Sequence, residues 1–162
     1  MIVSKLDRFK NFAVCRGSFN AGDVLEHPSE GYWIHSHVLA IAGEGTATIG
    51  STTIPVPNDQ PVDVSEYQGQ VISYSTDQLS CTWIALIPRF GASALNVQKV
   101  HLTEGATETI EAPADCSIYP YSGALSLDGS PMKNFQPVTT TTAKTLTLTA
   151  QSEGCALIIT PV

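Results

Sequence analysis

The stretch WIHSHVLAIAGEGTATIG, residues 33–50, places two histidines one residue apart ahead of an alternating apolar run and a Gly-x-Gly turn. Alternation of this kind is typical of short β-strands, and the glycines mark the turn between two of them. Side chains two residues apart on a strand share a face, so His35 and His37 are expected to point the same way. The stretch therefore predicts two short strands with a histidine pair at the start of the first.

The rest of the chain repeats this pattern, and no long segment has apolar residues at helical spacing. Turn-forming Gly, Pro, Asn and Asp separate the apolar runs. The runs cover residues 12–15, 38–41, 46–49, 70–74, 81–87, 144–149 and 155–159. This arrangement predicts an all-β sandwich or barrel.

An internal repeat is the most informative feature of the chain. Similar segments recur in the same order in both halves, as residues 19–22 with 102–105, 39–43 with 125–129, and 72–81 with 146–155. We therefore predict two repeated halves, residues 1–90 and a shorter half at 91–162. Neither half is large enough to be comfortably stable alone.

Composition limits the classes of function. With 43% hydrophobic and 14% charged residues, the 162-residue chain is expected to bury a core. No apolar run is long enough to span a membrane and no signal peptide is recognisable, so we expect a cytoplasmic or virion location. A net charge of −7 argues against nucleic-acid binding.

Charge is unevenly distributed along the sequence. Residues 1–16 carry four cationic side chains against the single Asp7, within a chain that is acidic overall. This pattern is compatible with a solvated first segment or with an arm that docks on an acidic neighbour, such as another copy of the chain. The four cysteines lack metal-finger spacing and are expected to be small buried thiols.

The segment His35-Ser-His37, followed by a strand and Gly43-Glu-Gly45, resembles the first motif of the cupin superfamily. Together with the repeat, the chain resembles a two-cupin (bicupin) protein. The resemblance implies a double-stranded β-helix, or jelly roll, in each half, so the expected fold is all-β with two repeated cupin-like halves.

The resemblance also implies a divalent metal site for Fe, Mn, Zn or Ni, to which His35 and His37 would contribute. The glutamate that follows the histidines in that family is absent here. Ile72 stands about where the third histidine is expected. His27 or Glu30 is the remaining candidate to complete the ligand set, and the alternative is that the histidines are polar residues at the barrel mouth.

Aromatic residues near these positions are the candidate ligand-binding groups. Tyr32 and Trp33 precede the histidines, and Tyr119-Pro-Tyr121 is expected to occupy the position of His-x-His in the second half. No other nucleophile, phosphate-binding or dinucleotide-binding motif is present, so no catalytic residue is assigned.

Two classes of function follow. The first is a non-catalytic jelly roll that binds protein partners or forms a homo-oligomer and needs no cofactor, as in a phage head decoration, a neck or tail accessory, or a fibre knob. The second is a small metal-dependent bicupin isomerase or dioxygenase acting on a sugar or small acid. A sugar-binding, lectin-like module is also compatible with the aromatic residues.

Overall fold

The computed structural model describes residues 3–29, 35–89 and 94–162. These residues form β-strands and a 3-10 turn at Ser65–Tyr67, with no α-helix among them, and all seven predicted apolar runs lie in strands. The all-β prediction is therefore confirmed. None of the described residues belongs to a helix with the length and apolarity needed to cross a membrane.

The chain divides into two compact units, Met1–Ala94 and Leu95–Val162, which we call unit 1 and unit 2. The boundary predicted from sequence, between residues 90 and 91, lies outside the described residues.

The described residues of unit 1 form nine strands in two antiparallel sheets. One sheet has five strands in the order β1-β2-β9-β4-β7, and the other has four in the order β3-β8-β5-β6. Their bounds are β1 Val3–Arg8, β2 Phe12–Asn20, β3 Leu25–Ser29, β4 His37–Ala42, β5 Gly45–Ile49, β6 Thr52–Val56, β7 Val62–Asp63, β8 Gln70–Ser75 and β9 Ser80–Pro88.

Unit 2 repeats this plan with eight strands. Its sheets have the orders β10-β17-β12-β15 and β11-β16-β13-β14. The bounds are β10 Leu95–Leu102, β11 Thr107–Ala112, β12 Ser117–Ser122, β13 Leu125–Leu127, β14 Ser130–Pro131, β15 Val138–Thr139, β16 Lys144–Ala150 and β17 Gly154–Pro161.

Alternate residues of each strand supply the core between the two sheets of a unit. In β9, for example, Cys81, Trp83, Ala85 and Ile87 belong to the core of unit 1. The core of unit 2 consists of aliphatic side chains and Cys116. The two-residue period of a strand thus determines which residues line each interior.

Matching hydrogen bonds confirm the repeat and define its register. In unit 1, Nδ2 of Asn58 donates to the carbonyl of Gly43 at 3.1 Å, and in unit 2 Nδ2 of Asn134 donates to Gly123 at the same distance. Both glycines have positive φ, 75° and 72°. The counterpart of Gly43 is therefore Gly123, and the predicted pairing with Gly129 was wrong.

A second pair of backbone hydrogen bonds identifies the residues of unit 2 that correspond to the histidine pair. The amide of Val64 donates to the carbonyl of Ser36 at 2.9 Å, as the amide of Thr140 donates to Cys116 at 2.8 Å. His-Ser-His therefore corresponds to Asp115-Cys116-Ser117. The assignment of Tyr119-Pro-Tyr121 to that position was wrong, because those residues lie further along β12.

The sequence repeat aligns Cys81 with Cys155, but the two cysteines do not occupy equivalent positions in the two units. Cys81 lies opposite Phe19, whereas the residue opposite Leu102 is Gly154. Cys155 is one position further along, and a shift of one residue moves a side chain to the other face of a sheet. Accordingly, Cys81 belongs to the core of unit 1, while Cys155 is buried outside the core cluster of unit 2.

Candidate functional site

His35 lies just before β4 and is completely buried. Its Nδ1 is 2.6 Å from the hydroxyl of Tyr74 on β8, a hydrogen bond that joins two segments 39 residues apart in sequence. Because Tyr74 is a member of the core cluster, the imidazole of His35 points into unit 1.

Four aromatic side chains form a continuous column in this interior. The ring of His27 on β3 lies 4.2 Å from that of His35, which is stacked at 5.8 Å on Tyr74. Tyr74 is stacked in turn on Trp83 of β9 at 5.4 Å. We call these four residues the aromatic column, which runs from the half-buried His27 to the fully buried Trp83.

Burial keeps the inner groups of the column uncharged. Desolvation, and after it the electrostatic effect of neighbouring His27, lowers the pKa of His35 to about 3. Desolvation raises the pKa of Tyr74, and the nearby Cys15 raises it further. At neutral pH the bond between them therefore joins a neutral imidazole and a neutral phenol.

Unit 2 has aliphatic residues in place of three of the four residues of the column. At matching register positions, the counterparts of His27, Tyr74 and Trp83 are Ile110, Leu148 and Ala156. A jelly roll of this plan can therefore pack its interior without polar rings. The column is a feature of unit 1 that the fold itself does not require.

His37 does not join His35 in this interior. Strand β4 begins at His37, so strand alternation does not extend back to His35. Val38 and Ala40 belong to the core, which places His37 on the opposite face of β4. The prediction that the two histidines share a face was wrong.

The surroundings of His37 are polar. Its Nδ1 is 2.7 Å from Oγ of Ser36. Partial burial lowers the pKa of His37, and the charge of Asp63 opposes that shift. Burial would raise the pKa of Asp63, but hydrogen bonds from Ser65 and the charge of His37 hold it below its usual value.

The remaining candidate residues are dispersed. Glu30, Tyr32 and Trp33 lie outside the described residues. Tyr119 and Tyr121 are buried on the face of β12 opposite Ile118, which belongs to the core of unit 2. Tyr119 contacts the ring of Phe135 at 6.3 Å between centroids.

The described side chains do not form a complete metal-ligand set. Across residues 3–29, 35–89 and 94–162, no three or more His, Cys, Asp or Glu side chains are grouped as metal ligands would be. His35 uses Nδ1 for Tyr74, and His37 lies on the other side of its strand. These residues therefore do not fit the three-histidine and glutamate set that the sequence resemblance implies.

A cavity of about 10 Å³ lies beside the column, between Phe19, Tyr74, Cys81 and Trp83. That volume is close to the minimum that holds one water molecule. This cavity is too small for a sugar or a small organic acid.

The sequence reasoning missed Tyr74 and Trp83 as members of the site. The available signal was alternation within residues 70–74 and 81–87, which places Tyr74 with Ile72 and Trp83 with Cys81 on the inward face. That signal identifies core residues but does not show which rings meet.

We expect His27→Ile to change the free energy of unfolding by less than about 1 kcal/mol, because unit 2 packs Ile110 at the equivalent position. Urea unfolding monitored by tryptophan fluorescence measures this, since both tryptophans, Trp33 and Trp83, belong to unit 1. A loss above about 2 kcal/mol would show that the imidazole is needed for packing.

Comparison with solved structures relates this fold to cupin-type proteins. YhaK from Escherichia coli matches with a TM-score of 0.72 at 11% identity, covering 99% of this chain and 94% of that one. YhhW from Escherichia coli gives 0.69 at 12% identity, covering 98% and 83%. A cupin 2 conserved barrel domain protein from Leptotrichia buccalis gives 0.59 at 12% identity, covering 100% and 89%.

At 11–12% identity these similarities establish the fold. The cupin-like fold that the sequence resemblance implied is therefore confirmed. No protein-family model and no curated protein matches the sequence.

Proposed function

We propose that this protein is a non-catalytic jelly roll that works through its surface, as a structural or binding component of a larger protein assembly. The observation that carries the proposal is the packing of aromatic rings between the sheets of unit 1. Tyr74 and Trp83 occupy the space between the sheets, and the cavity beside them has a volume of only about 10 Å³. An enzyme of this fold needs an interior that admits substrate.

The interior of unit 2 supports the same proposal. Its core contains aliphatic side chains and Cys116, whose thiol pKa is raised by burial. A thiol held in its neutral form is a poor nucleophile. Burial of Cys116 in the core of unit 2 therefore argues against thiol catalysis at that position.

A phage virion is the assembly we favour, with the protein as a head decoration, a neck or tail accessory, or a fibre knob. Jelly rolls are common building blocks of viral particles. This step is an analogy at the level of fold and is tested by locating the protein in a purified particle.

A small metal-dependent bicupin enzyme, an isomerase or dioxygenase of sugars or small acids, is the second candidate. The rings of His27 and His35 lie 4.2 Å apart between centroids. Unit 2 has Ile110 in place of His27, so the fold itself does not require this pair of imidazoles, and its presence in unit 1 favours the enzyme. Two adjacent imidazoles inside one barrel are a partial ligand set.

Metal content separates the two candidates. We expect chain purified without chelator or added tag to contain far less than one Fe, Mn, Ni or Zn per chain by inductively coupled plasma mass spectrometry. His35→Gln should give the same result, with His101→Gln as the control because His101 is exposed in unit 2.

A stoichiometric metal in the parent and in His101→Gln, but not in His35→Gln, would overturn the non-catalytic proposal. In that case, substrate screens with the metal-loaded chain would follow.

A further inference from the structure

Strand β1 forms the outer edge of the five-stranded sheet of unit 1. It pairs with β2 through six consecutive residue pairs, from Val3 with Ser18 to Arg8 with Ala13, without a bulge. No other strand of the described residues pairs with its far side. Such an edge presents unpaired backbone donors and acceptors to a partner strand.

The other outer strands of unit 1 carry features that disfavour strand addition. Strand β3 contains Pro28, β6 contains Pro55, and β7 has only two residues. Proline and short length are common ways in which proteins protect sheet edges. Among the described edges of unit 1, only β1 is both long and free of proline.

The hairpin between β1 and β2 determines which backbone groups face outward. The amide of Phe9 donates to the carbonyl of Phe12 at 2.9 Å, so this pair is hydrogen-bonded. Bonding alternates along an antiparallel pair, and the backbone groups of Lys5 and Asp7 therefore point toward β2. The backbone groups of Ser4, Leu6 and Arg8 point to the open edge of the sheet.

Oppositely charged residues lie symmetrically about Leu6, with Lys5 before it and Asp7 after it. We propose that β1 pairs antiparallel with β1 of a second copy, centred on Leu6. Each Lys5 then lies opposite an Asp7, and the outward backbone groups of the two strands meet in register. This inference rests on the proposed function as an assembly component and names a partner, a second copy of the chain.

Neighbouring registers are disfavoured by charge. Moving the centre by one residue places Lys5 opposite Lys5, or Asp7 opposite Asp7, and like charges directly opposite one another destabilise a sheet. Centring on Arg8 would place two guanidinium groups opposite each other. Among the registers centred on residues 5 to 8, only the one centred on Leu6 satisfies both the backbone pattern and the charges.

Other cationic side chains also lie near β1. The five cationic residues of unit 1 are Lys5, Arg8, Lys10, Arg16 and Arg89. Arg89 reaches this region by donating from Nη1 to the carbonyl of Phe9 at 2.7 Å. In the proposed register Arg8 lies opposite Ser4 and so faces no like charge, while Nε of Arg16 donates to Oδ2 of Asp7 within the same chain at 3.0 Å.

Charge exchange tests the register. Lys5→Asp and Asp7→Lys each create two like-charge pairs across the twofold axis, and each is expected to weaken dimerisation by about tenfold or more in sedimentation velocity across a concentration series. The double variant Lys5→Asp/Asp7→Lys should restore the dimer. Lys133→Asp in unit 2 is the control and should dimerise like the parent.

Mixing the two single variants provides the decisive arm, because a Lys5→Asp strand is complementary to an Asp7→Lys strand. We expect a heterodimer from two variants that are each monomeric, a result that misfolding cannot produce. Oxidising a mixture of Lys5→Cys and Asp7→Cys chains should likewise give a disulfide-linked pair, with little product from either variant alone. The native cysteines are buried.

Two results would overturn the inference: a parent chain that stays monomeric throughout, or single variants that dimerise as the parent does. A monomeric parent that binds polyglutamate through β1 would indicate an acidic partner instead of a second copy. Dimerisation unaffected by β1 variants leaves the assembly proposal standing. Stoichiometric metal at His35 overturns that proposal without deciding the pairing of β1.

Discussion

Replacing Gly123 with alanine is expected to lower the free energy of unfolding of unit 2 by about 3 kcal/mol or more. A Cβ at this position would overlap the carbonyl of Glu153 and lie 2.6 Å from Cα of Gly154. Both are backbone atoms, so the strand would have to move, at a cost of about 1–3 kcal/mol. The positive φ of 72° adds about 1–2 kcal/mol for a residue with a side chain.

Gly105→Ala is the matched control. Gly105 also has a positive φ, 81°, but a Cβ there would meet nothing within 4 Å. Only the backbone strain remains, so a loss of about 1 kcal/mol is expected. Chemical unfolding followed by far-UV circular dichroism gives both values, and equal losses would show that close approach at Gly123 does not contribute.

Gly123 also illustrates how much of the repeat can be predicted from sequence. Alternating apolar residues ending in glycine occur at both 39–43 and 125–129, so a sequence comparison aligns Gly43 with Gly129. Patterns with a two-residue period resemble one another at many offsets. The true counterpart is fixed by the bond from Asn134 in a distant loop, which no local pattern reveals.

The candidate site shows the same limit. The His-x-His motif correctly placed His37 at the start of a strand, but His35 lies two residues before that strand and points in a different direction. Because β4 begins only at His37, the two-residue alternation of a strand does not hold for His35. Tyr74 and Trp83 come from β8 and β9, far along the chain, and only the pairing of strands brings them beside His35.

Acidification from pH 7.5 to pH 5 is expected to destabilise unit 1 by about 2 kcal/mol through His35 alone. The pKa of His35 is lowered from 6.5 in the unfolded chain to about 3 in the folded one. Below pH 6.5 the unfolded state therefore binds a proton that the folded state does not. The stabilising contribution of neutral His35 is complete above pH 6.5 and is lost progressively as the pH falls toward 3.

Two variants separate this titration from the hydrogen bond to Tyr74. His35→Gln keeps a polar partner for the Tyr74 hydroxyl but cannot titrate, so its stability should fall by about 2 kcal/mol less than that of the parent between pH 7.5 and pH 5. Tyr74→Phe removes the 2.6 Å bond and should lower stability at both pH values while keeping the dependence of the parent. Urea unfolding monitored by tryptophan fluorescence at each pH measures both effects. If His35→Gln and the parent lose stability in parallel, His35 is not held neutral by burial, and the aromatic column must be open to water in solution.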